Sequence, residues 1–558
     1  MRMTTPFYPP HLRTLFTDRE RELAMLEQAT LSLTEGRPRH LALFGLRRIG
    51  KTLLLLEHLT RLVEQVPNST VRPVYVDMEE LVTSPELFSR RYVGLVTFWA
   101  VTGGQGDRES FLTPTGLLDG PAAGLRCVAQ TLATLERARD DPALQVSAAL
   151  DFPEKLAAEL DCYLLLLLDE FTELAVLGNY PSVRRPVQLF RAALQRQGRL
   201  GYVVAASAIS AMQHLVQDGQ SPLFLQFESV EVARFPLDAT LALAERILGV
   251  TPGAGAGRRL HELTGGHPFY VYAVASRMGD LAPAASALTA ENAERAFLLE
   301  TLTRDGRIYN YCRYLYDISL SRARGYGILK AILQTLAEEE GLTLSELARR
   351  IRKGAPGTRS YLRALQEVDL LIEEGGEYYY RDPVLRYWVA AMTGGIEVDP
   401  LASRATLAPL LADLEAQHAR LSSELGRARE SQLREALRGF AGQEVDGAWF
   451  GRSGRLTLPI VRDVAPYRST DGQVEVAALV ATASGERWAV ELKWQSKVVG
   501  EKELNVLAAK ARSLNARPWC VSRSGFTPAA RTYAEANDIL ISTRADLEKI
   551  ERAVRPGS

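Results

Sequence analysis

Two kinds of hydrophobic pattern divide this chain. LALF (41–44), VRPVYVD (71–77), LLLLLD (164–169) and GYVVAAS (201–207) are short, nearly continuous apolar runs with helical stretches between them. Strands that are apolar on both faces are covered on both faces, and strands separated by helices pair in parallel, so these runs predict a parallel sheet with crossover helices. Beyond residue 326 the pattern changes. GILKAILQTL, LSELARRI and TRSYLRAL have helical spacing, and LLIEEGGEYYYRDP predicts a hairpin turning at Gly375-Gly376. The second of these helices opens with the capping signal Thr343-x-x-Glu346. After the Gly-rich TGGIEVDP, residues 404–440 predict a long amphipathic helix with Leu421, Leu425, Leu433, Leu437 and Phe440 near helical spacing. VEVAALVATASGERWAVELKW (474–494) then predicts two strands joined by a Ser-Gly turn. Helix, strand (PWCVS), helix, strand (ILIST) and a last helix follow.

The first run leads into Gly45-Leu-Arg-Arg-Ile-Gly50-Lys51-Thr52 and a Leu-rich helical start. This is G-x-x-x-x-G-K-T between a strand and a helix, the arrangement that wraps backbone N–H groups and a helix N-terminus around phosphates. Gly45, Arg48, Gly50, Lys51, Thr52 and Leu53 are the candidate nucleotide-binding residues. Lys51 would reach the β and γ phosphates and the Thr52 hydroxyl would hold Mg²⁺. The run YLLLLLDE ends in Asp169 and Glu170, which places an acid for the magnesium shell beside one that orients the attacking water. Lys51 and Glu170 are therefore the catalytic candidates. Ser207 and Ser210, at the end of the fourth run, either sense the γ-phosphate or cap the next helix. The long interval from Thr52 to Asp169 places an insertion near 98–150.

Length and charge narrow the picture. At 558 residues the chain holds several folding units. With 66 basic against 67 acidic residues, no overall field drives it onto nucleic acid or membrane, and any DNA contact comes from a local patch. Cys127, Cys162, Cys312 and Cys520 are scattered, which predicts neither a structural zinc site nor a disulfide framework. No apolar run approaches the roughly 20 residues that span a bilayer, so the expectation is a cytoplasmic protein with no membrane partner.

FTDRERELAML (16–26), FGLRRIGKT, LLDEF and TGGHPFY (264–270) together resemble the archaeal-type ATPases of the STAND branch of AAA+ P-loop proteins, over roughly residues 14–390. The resemblance implies that Gly265, His267 and Pro268 lie in a helical lid that reports the nucleotide state. His267 and Pro268 thus join Ser207 as sensor candidates. Arg184, Arg185, Arg191 and Arg196 follow the acidic strand, where related ATPases place a trans-acting arginine. Three helices with a two-stranded wing over 326–392 describe a winged helix-turn-helix, with Lys353, Arg359 and Arg363 as candidate DNA contacts. In STAND proteins such a module also serves regulation or oligomerisation.

The C-terminal strand-helix pattern and the E-x-K string resemble the restriction-endonuclease-like fold over residues 421–550. Chemistry there needs an acid on one strand and E-x-K on the next, so that two carboxylates hold Mg²⁺ and the lysine positions the nucleophile. Glu491 and Lys493 supply the second part. The resemblance places the missing acid at Ala477, with Glu475 about 7 Å further along the strand and Glu430 on the preceding helix as substitutes. Asp463 and Asp471 are further candidates.

The expected architecture is α/β: a P-loop NTPase parallel sheet over 1–235, a helical lid over 236–325, a winged helix-turn-helix over 326–392, a linker helix over 393–420 and an α/β nuclease-like domain over 421–558. The expected function is an ATP-binding, slowly hydrolysing switch coupled to a DNA-associated nuclease-like domain, either competent or degenerate and kept for binding nucleic acid or a partner, with self-association into an oligomer as a further expectation. A winged-helix transcription regulator controlled by ATP and an ATP-gated, metal-dependent nuclease are the alternatives.

Overall fold

The computed structural model describes residues 8–65, 70–281, 288–321, 326–394, 433–434, 436–469, 474–493 and 498–554. Glu430, Asp471 and nearly all of the expected 404–440 helix lie outside them. The chain forms two compact units, Met1–Leu407 and Ala408–Ser558.

In the first unit, strands β1 (Leu41–Phe44), β2 (Val71–Asp77), β3 (Tyr163–Asp169), β4 (Leu200–Ala206) and β5 (Glu228–Glu231) form one sheet in the order β2-β3-β4-β1-β5. Every pairing is parallel. β1 and β4 are buried along their whole length, and β3 from its second residue on, which accounts for their continuous apolar runs. β4 lies between β1 and β3, so its C-terminal end at Ser207 falls between the glycine-rich loop and the acidic pair.

The interval between β2 and β3 is helical. Residue 98 lies inside the helix Pro85–Thr102, which buries twelve residues and stops at left-handed Gly103. Helix Pro142–Glu159 runs back into β3, and the stretch between these two helices includes the helix Arg126–Arg137. Arg191 alone of the four arginines after β3 is on a helix, Pro186–Leu194, while Arg196 pairs with Asp151.

Helices Leu237–Leu248, Ala254–Thr264, Pro268–Leu281, Ala290–Leu302 and Arg307–Ser321 follow the sheet. Then come Tyr326–Glu338, β6 (Leu342–Thr343), Leu344–Arg350, Ala355–Glu367, β7 (Leu371–Glu374), β8 (Glu377–Tyr380) and Pro383–Thr393. β6, β8 and β7 make a three-stranded sheet, and the hairpin turns at Gly375 and Gly376, both with positive φ. The capping box forms as the sequence predicts: Glu346 N–H donates to Thr343 Oγ1 and Thr343 N–H to the Glu346 carboxylate at 2.8 Å. Such a cap stabilises a helix by about 1 kcal/mol.

The second unit is a mixed sheet, β9 (Val461–Arg468), β10 (Glu475–Thr482), β11 (Arg487–Lys493), β12 (Arg517–Ser522) and β13 (Leu540–Thr543), in that spatial order. The first two pairings are antiparallel and the last two parallel. Trp488 and Trp519 meet edge-to-face at 6.1 Å at the centre of one face. Such a pair adds about 0.5–1.5 kcal/mol beyond the area it buries. Among the described residues no helix is long and apolar enough to cross a membrane.

Candidate nucleotide site and the C-terminal sheet edge

The loop from Gly45 to Gly50 joins β1 to helix α1 (Lys51–Gln65). A Cβ on Gly45 would stand 2.6 Å from the Val232 carbonyl, and Gly50 has φ +103°, so neither position accepts a side chain without strain. Arg48 is also left-handed, at φ +59°. Lys51 is buried, and its ammonium donates to the carbonyls of Gly45 (2.9 Å) and Leu46 (3.0 Å) within its own loop. Burial pulls its pKa down to about 8 against the pull of Glu170 and Asp169. Leu53 packs its side chain against the core, so only its backbone faces the loop side.

Thr52 Oγ1 donates to Asp169 at 2.6 Å, and Tyr75 O–H donates to the same carboxylate oxygen at 3.3 Å. Burial lifts the Asp169 pKa to about 6, and Glu170 and Asp77 push the same way. Glu170 has the left-handed φ of +46°, uncommon for a residue with a side chain. Its carboxylate is held by the Ser207 N–H at 3.0 Å and by the Ser207 hydroxyl. Ser207 thus orients Glu170 and does not cap the next helix, α2 (Ile209–Gln217), whose N-cap, Ala208, offers no side-chain bond.

Of the lid candidates, His267 touches the loop directly. Left-handed Gly265 and Gly266 end one helix, and Pro268 begins the next, α3 (Pro268–Leu281). His267, fully buried and held neutral by that burial, donates from Nε2 to the Arg47 carbonyl at 3.1 Å; Tyr311 O–H reaches the same oxygen at 3.3 Å. Arg48 lies over Phe269 and Tyr311, 4.5 and 4.8 Å from their centroids. At the opposite edge, Arg19 of the FTDRERELAML segment donates to the Ile49 carbonyl at 3.0 Å and stacks on Phe235.

Sequence reading overlooked Tyr75, Asp77 and the backbone role of Arg47. An acid ending VRPVYVD was a visible signal for Asp77, because β2 lies beside β3 and their last residues, Asp77 and Asp169, are in register.

In the second unit, Glu491 accepts from Lys493 at 2.8 Å and lies 3.6 Å from Lys510 on α6, where α4 (Ala355–Glu367), α5 (Pro383–Thr393) and α6 (Glu501–Ser513) are the later helices named below. Burial lowers the Lys493 pKa, but the Glu491 carboxylate outweighs it and the net shift is upward.

The expected acid position needs correction. Between Ala465↔Leu479 and Tyr467↔Val476, β9 advances two residues and β10 three, a bulge at Ala477–Ala478 opposite Pro466. The extra residue turns Ala477 onto the face of the tryptophan cluster and brings Val476 to the other face, against Ala489 and Ala511. That second face is the one carrying Glu491, by strand alternation from Ala489. The residue of β10 nearest the expected acid site is therefore a buried valine. Glu475 stands in register with Arg468, and its side chain is not among the described parts. Asp463 is exposed on β9. Among the described residues no group of three or more His, Cys, Asp or Glu is placed to hold a metal.

Lys353, Arg359 and Arg363 are exposed at the start of and along α4.

A parallel sheet with this loop after β1, acids ending β3 and an intervening β4 gives the first unit the arrangement of a P-loop nucleotide-binding fold. Residues 462–550 match a family model for restriction endonucleases, which makes the second unit restriction-endonuclease-like. Among solved structures, the chain is similar to the Walker-type ATPase PABY2304 of Pyrococcus abyssi (16% identity, 67% of this chain and 96% of that one, TM-score 0.45). It is also similar to the Aeropyrum pernix ORC2 protein in ADPNP–ADP complexes (15%, 73% and 98%, 0.42) and to the Thermotoga maritima RuvB Holliday junction branch migration motor (14%, 69% and 97%, 0.34). No curated protein matches the chain.

Proposed function

We propose that the chain is an ATP-binding, slowly hydrolysing switch whose state is passed to a nuclease-like domain that engages nucleic acid. The observation that carries this reading is the juxtaposition of Lys51 and Thr52 with Asp169 and a Glu170 clamped by Ser207. The donor set suits a magnesium nucleotide. Lys51 now satisfies its ammonium with loop carbonyls that phosphate oxygens would replace, and Thr52 and Asp169 offer hard oxygen ligands for Mg²⁺. Bound Mg²⁺ would neutralise charge on the transferred phosphoryl group. Glu170 would take the proton of the attacking water, with Ser207 fixing its carboxylate.

His267, bonded to the Arg47 carbonyl, and Arg48, lying over Phe269 and Tyr311, link the loop to the lid that Pro268 belongs to, so a nucleotide that moves the loop moves the lid. The division proposed is core 1–235, lid 236–325, winged helix-turn-helix 326–392, linker 393–420 and nuclease-like domain 421–558. Lys353, Arg359 and Arg363 on the exposed side of α4 favour DNA as a partner of the winged helix. Self-association would supply an arginine in trans. The C-terminal site is proposed as a metal-free one, because a carboxylate already neutralised by one lysine and approached by another repels a divalent cation.

Steady-state ATP turnover by the purified chain, with Lys51→Ala beside it, tests the switch. Slow turnover that DNA alters and Lys51→Ala abolishes is expected. Fast turnover indifferent to DNA would sink the reading.

A further inference from the structure

β2 lies beside β3 with Asp77 in register with Asp169 and Tyr75 in register with Leu167. Tyr75, half-buried, is the one aromatic residue of VRPVYVD and stands two residues before the end of the strand. Two residues of strand rise about 7 Å, and the tyrosine side chain covers that offset along the sheet, so that its O–H meets Asp169 Oδ2 at 3.3 Å. The acid that ends the same strand is engaged elsewhere. Asp77 turns its carboxylate to the N–H of Glu79 at 2.9 Å and caps the short helix Met78–Leu81. What β2 brings to Asp169 is therefore a phenol.

Among the described residues, three donors hold the Asp169 carboxylate. Thr52 Oγ1 at 2.6 Å and the Tyr75 O–H share Oδ2, and the Glu170 N–H donates to Oδ1 at 3.0 Å. The three are not equivalent. Thr52 is itself one of the residues suited to hold Mg²⁺, so its hydroxyl has two tasks. Glu170 is the next residue in the chain, and its N–H moves with Asp169. Tyr75 comes from a separate strand, outside both the glycine-rich loop and the acidic pair. A phenol, with a pKa near 10, keeps its proton at neutral pH, and burial holds this one higher still. It is the donor whose place in the sheet does not depend on the nucleotide.

We propose that Tyr75 is a positioning residue of the metal site, fixing the Asp169 carboxylate for the Mg²⁺ that accompanies the nucleotide, an inference that rests on the ATP reading above. A side chain that orients a metal-binding carboxylate from outside sets metal affinity without touching the metal, and removing such a partner typically costs about 10- to 100-fold. The 3.3 Å bond is longer than the usual O–H···O distance of about 2.7–2.8 Å, which puts Tyr75 at the low end of that range.

The test uses the full chain and Tyr75→Phe, which keeps the ring and removes only the O–H. Affinity for a non-hydrolysable ATP analogue is measured by calorimetric titration in EDTA and across a Mg²⁺ series, with thermal melts to confirm folding. In EDTA the two proteins should bind the analogue alike. The gain in affinity that Mg²⁺ brings should be about tenfold smaller in Tyr75→Phe than in the wild type, and the Mg²⁺ concentration at half-maximal ATP turnover should rise by a similar factor. The same substitution made in Asp169→Asn should change neither quantity further, because the carboxylate it acts through is gone. A folded Tyr75→Phe whose Mg²⁺ gain equals that of the wild type, or which loses affinity equally with and without Mg²⁺, overturns the positioning role alone. An effect of Tyr75→Phe that persists in Asp169→Asn does the same. A wild type that binds the analogue under neither condition overturns the ATP reading and the role of Tyr75 with it.

Discussion

Each unit of this chain sets a lysine beside carboxylates at the C-terminal end of an interior strand, and the two differ in charge balance. In the first unit Lys51 faces Asp169 and Glu170, with Asp77 close behind, and a threonine hydroxyl completes an oxygen-rich site. In the second, Glu491 pairs with Lys493 and lies near Lys510, Glu503 adds its charge around Lys493, and Val476 fills the face from which the expected acid of the neighbouring strand would come. A site with surplus carboxylate invites a cation and the phosphates it carries. A carboxylate neutralised by lysines has no such surplus, and its lysines are left to attract an anion. The same residue types therefore point to opposite ligands.

The largest effects should come from breaking the first site. Lys51→Ala removes the group that meets the phosphates and should lower nucleotide affinity or turnover by about a hundredfold or more, read by nucleotide titration and phosphate release. Glu170→Gln keeps the shape and the Ser207 contact while removing the base. It should slow hydrolysis by about 10²- to 10³-fold with affinity nearly intact, a split between kcat and KM that a merely unfolded variant would not show.

The next effect is one of pH. Lys51 titrates near 8 without nucleotide because burial disfavours its charge, yet phosphate binds the charged form. Affinity should be flat below about pH 7 and fall above pH 8 by up to tenfold per unit, a slope that Lys51→Ala lacks. Asp169 acts on stability, at lower pH and in the same direction. Its folded pKa of about 6 stands above the ordinary 3.8, so the native state holds that proton more tightly. Its contribution to folding is present at low pH and is lost as pH rises through about 4 to 6. Thermal melts of Asp169→Asn against the wild type, without nucleotide, should converge at the acid end and separate above it.

How much of this was legible in the sequence depends on the range of the signal. The buried strands, the glycine-rich loop, the Asp169–Glu170 pair and the hairpin at Gly375-Gly376 are local patterns, and the structure forms each where the pattern put it. The Thr343–Glu346 box is likewise local, and Thr343→Ala should cost about 1 kcal/mol, seen as faster hydrogen exchange over 344–350. What the sequence withheld was pairing across distance. That Ser207 grips Glu170, that His267 meets the Arg47 carbonyl and that Asp369 caps α2 all depend on which loops the fold brings together. The bulge misled in a different way: alternation counts residues, and one extra residue at Ala477–Ala478 puts Val476, rather than Ala477, on the face that carries Glu491.

The smallest effect sharpens the comparison most, because the two accounts of the second unit predict opposite signs. If Glu491 were a metal ligand, Glu491→Gln would abolish Mg²⁺- or Mn²⁺-dependent cleavage and leave DNA binding little changed. If the site attracts anions, the same substitution removes the carboxylate that pairs with Lys493 and lies near Lys510, and the ammonium groups turn more readily to phosphate. DNA affinity should then rise about two- to fivefold at low salt, with a steeper dependence on salt concentration as a further phosphate contact is made. No metal-dependent cleavage should be present to lose. Filter binding over a salt series, beside a plasmid cleavage assay with either metal, separates the two. A Glu491→Gln protein that binds more weakly, or a wild type whose cleavage disappears on that change, would return the second unit to the metal nucleases.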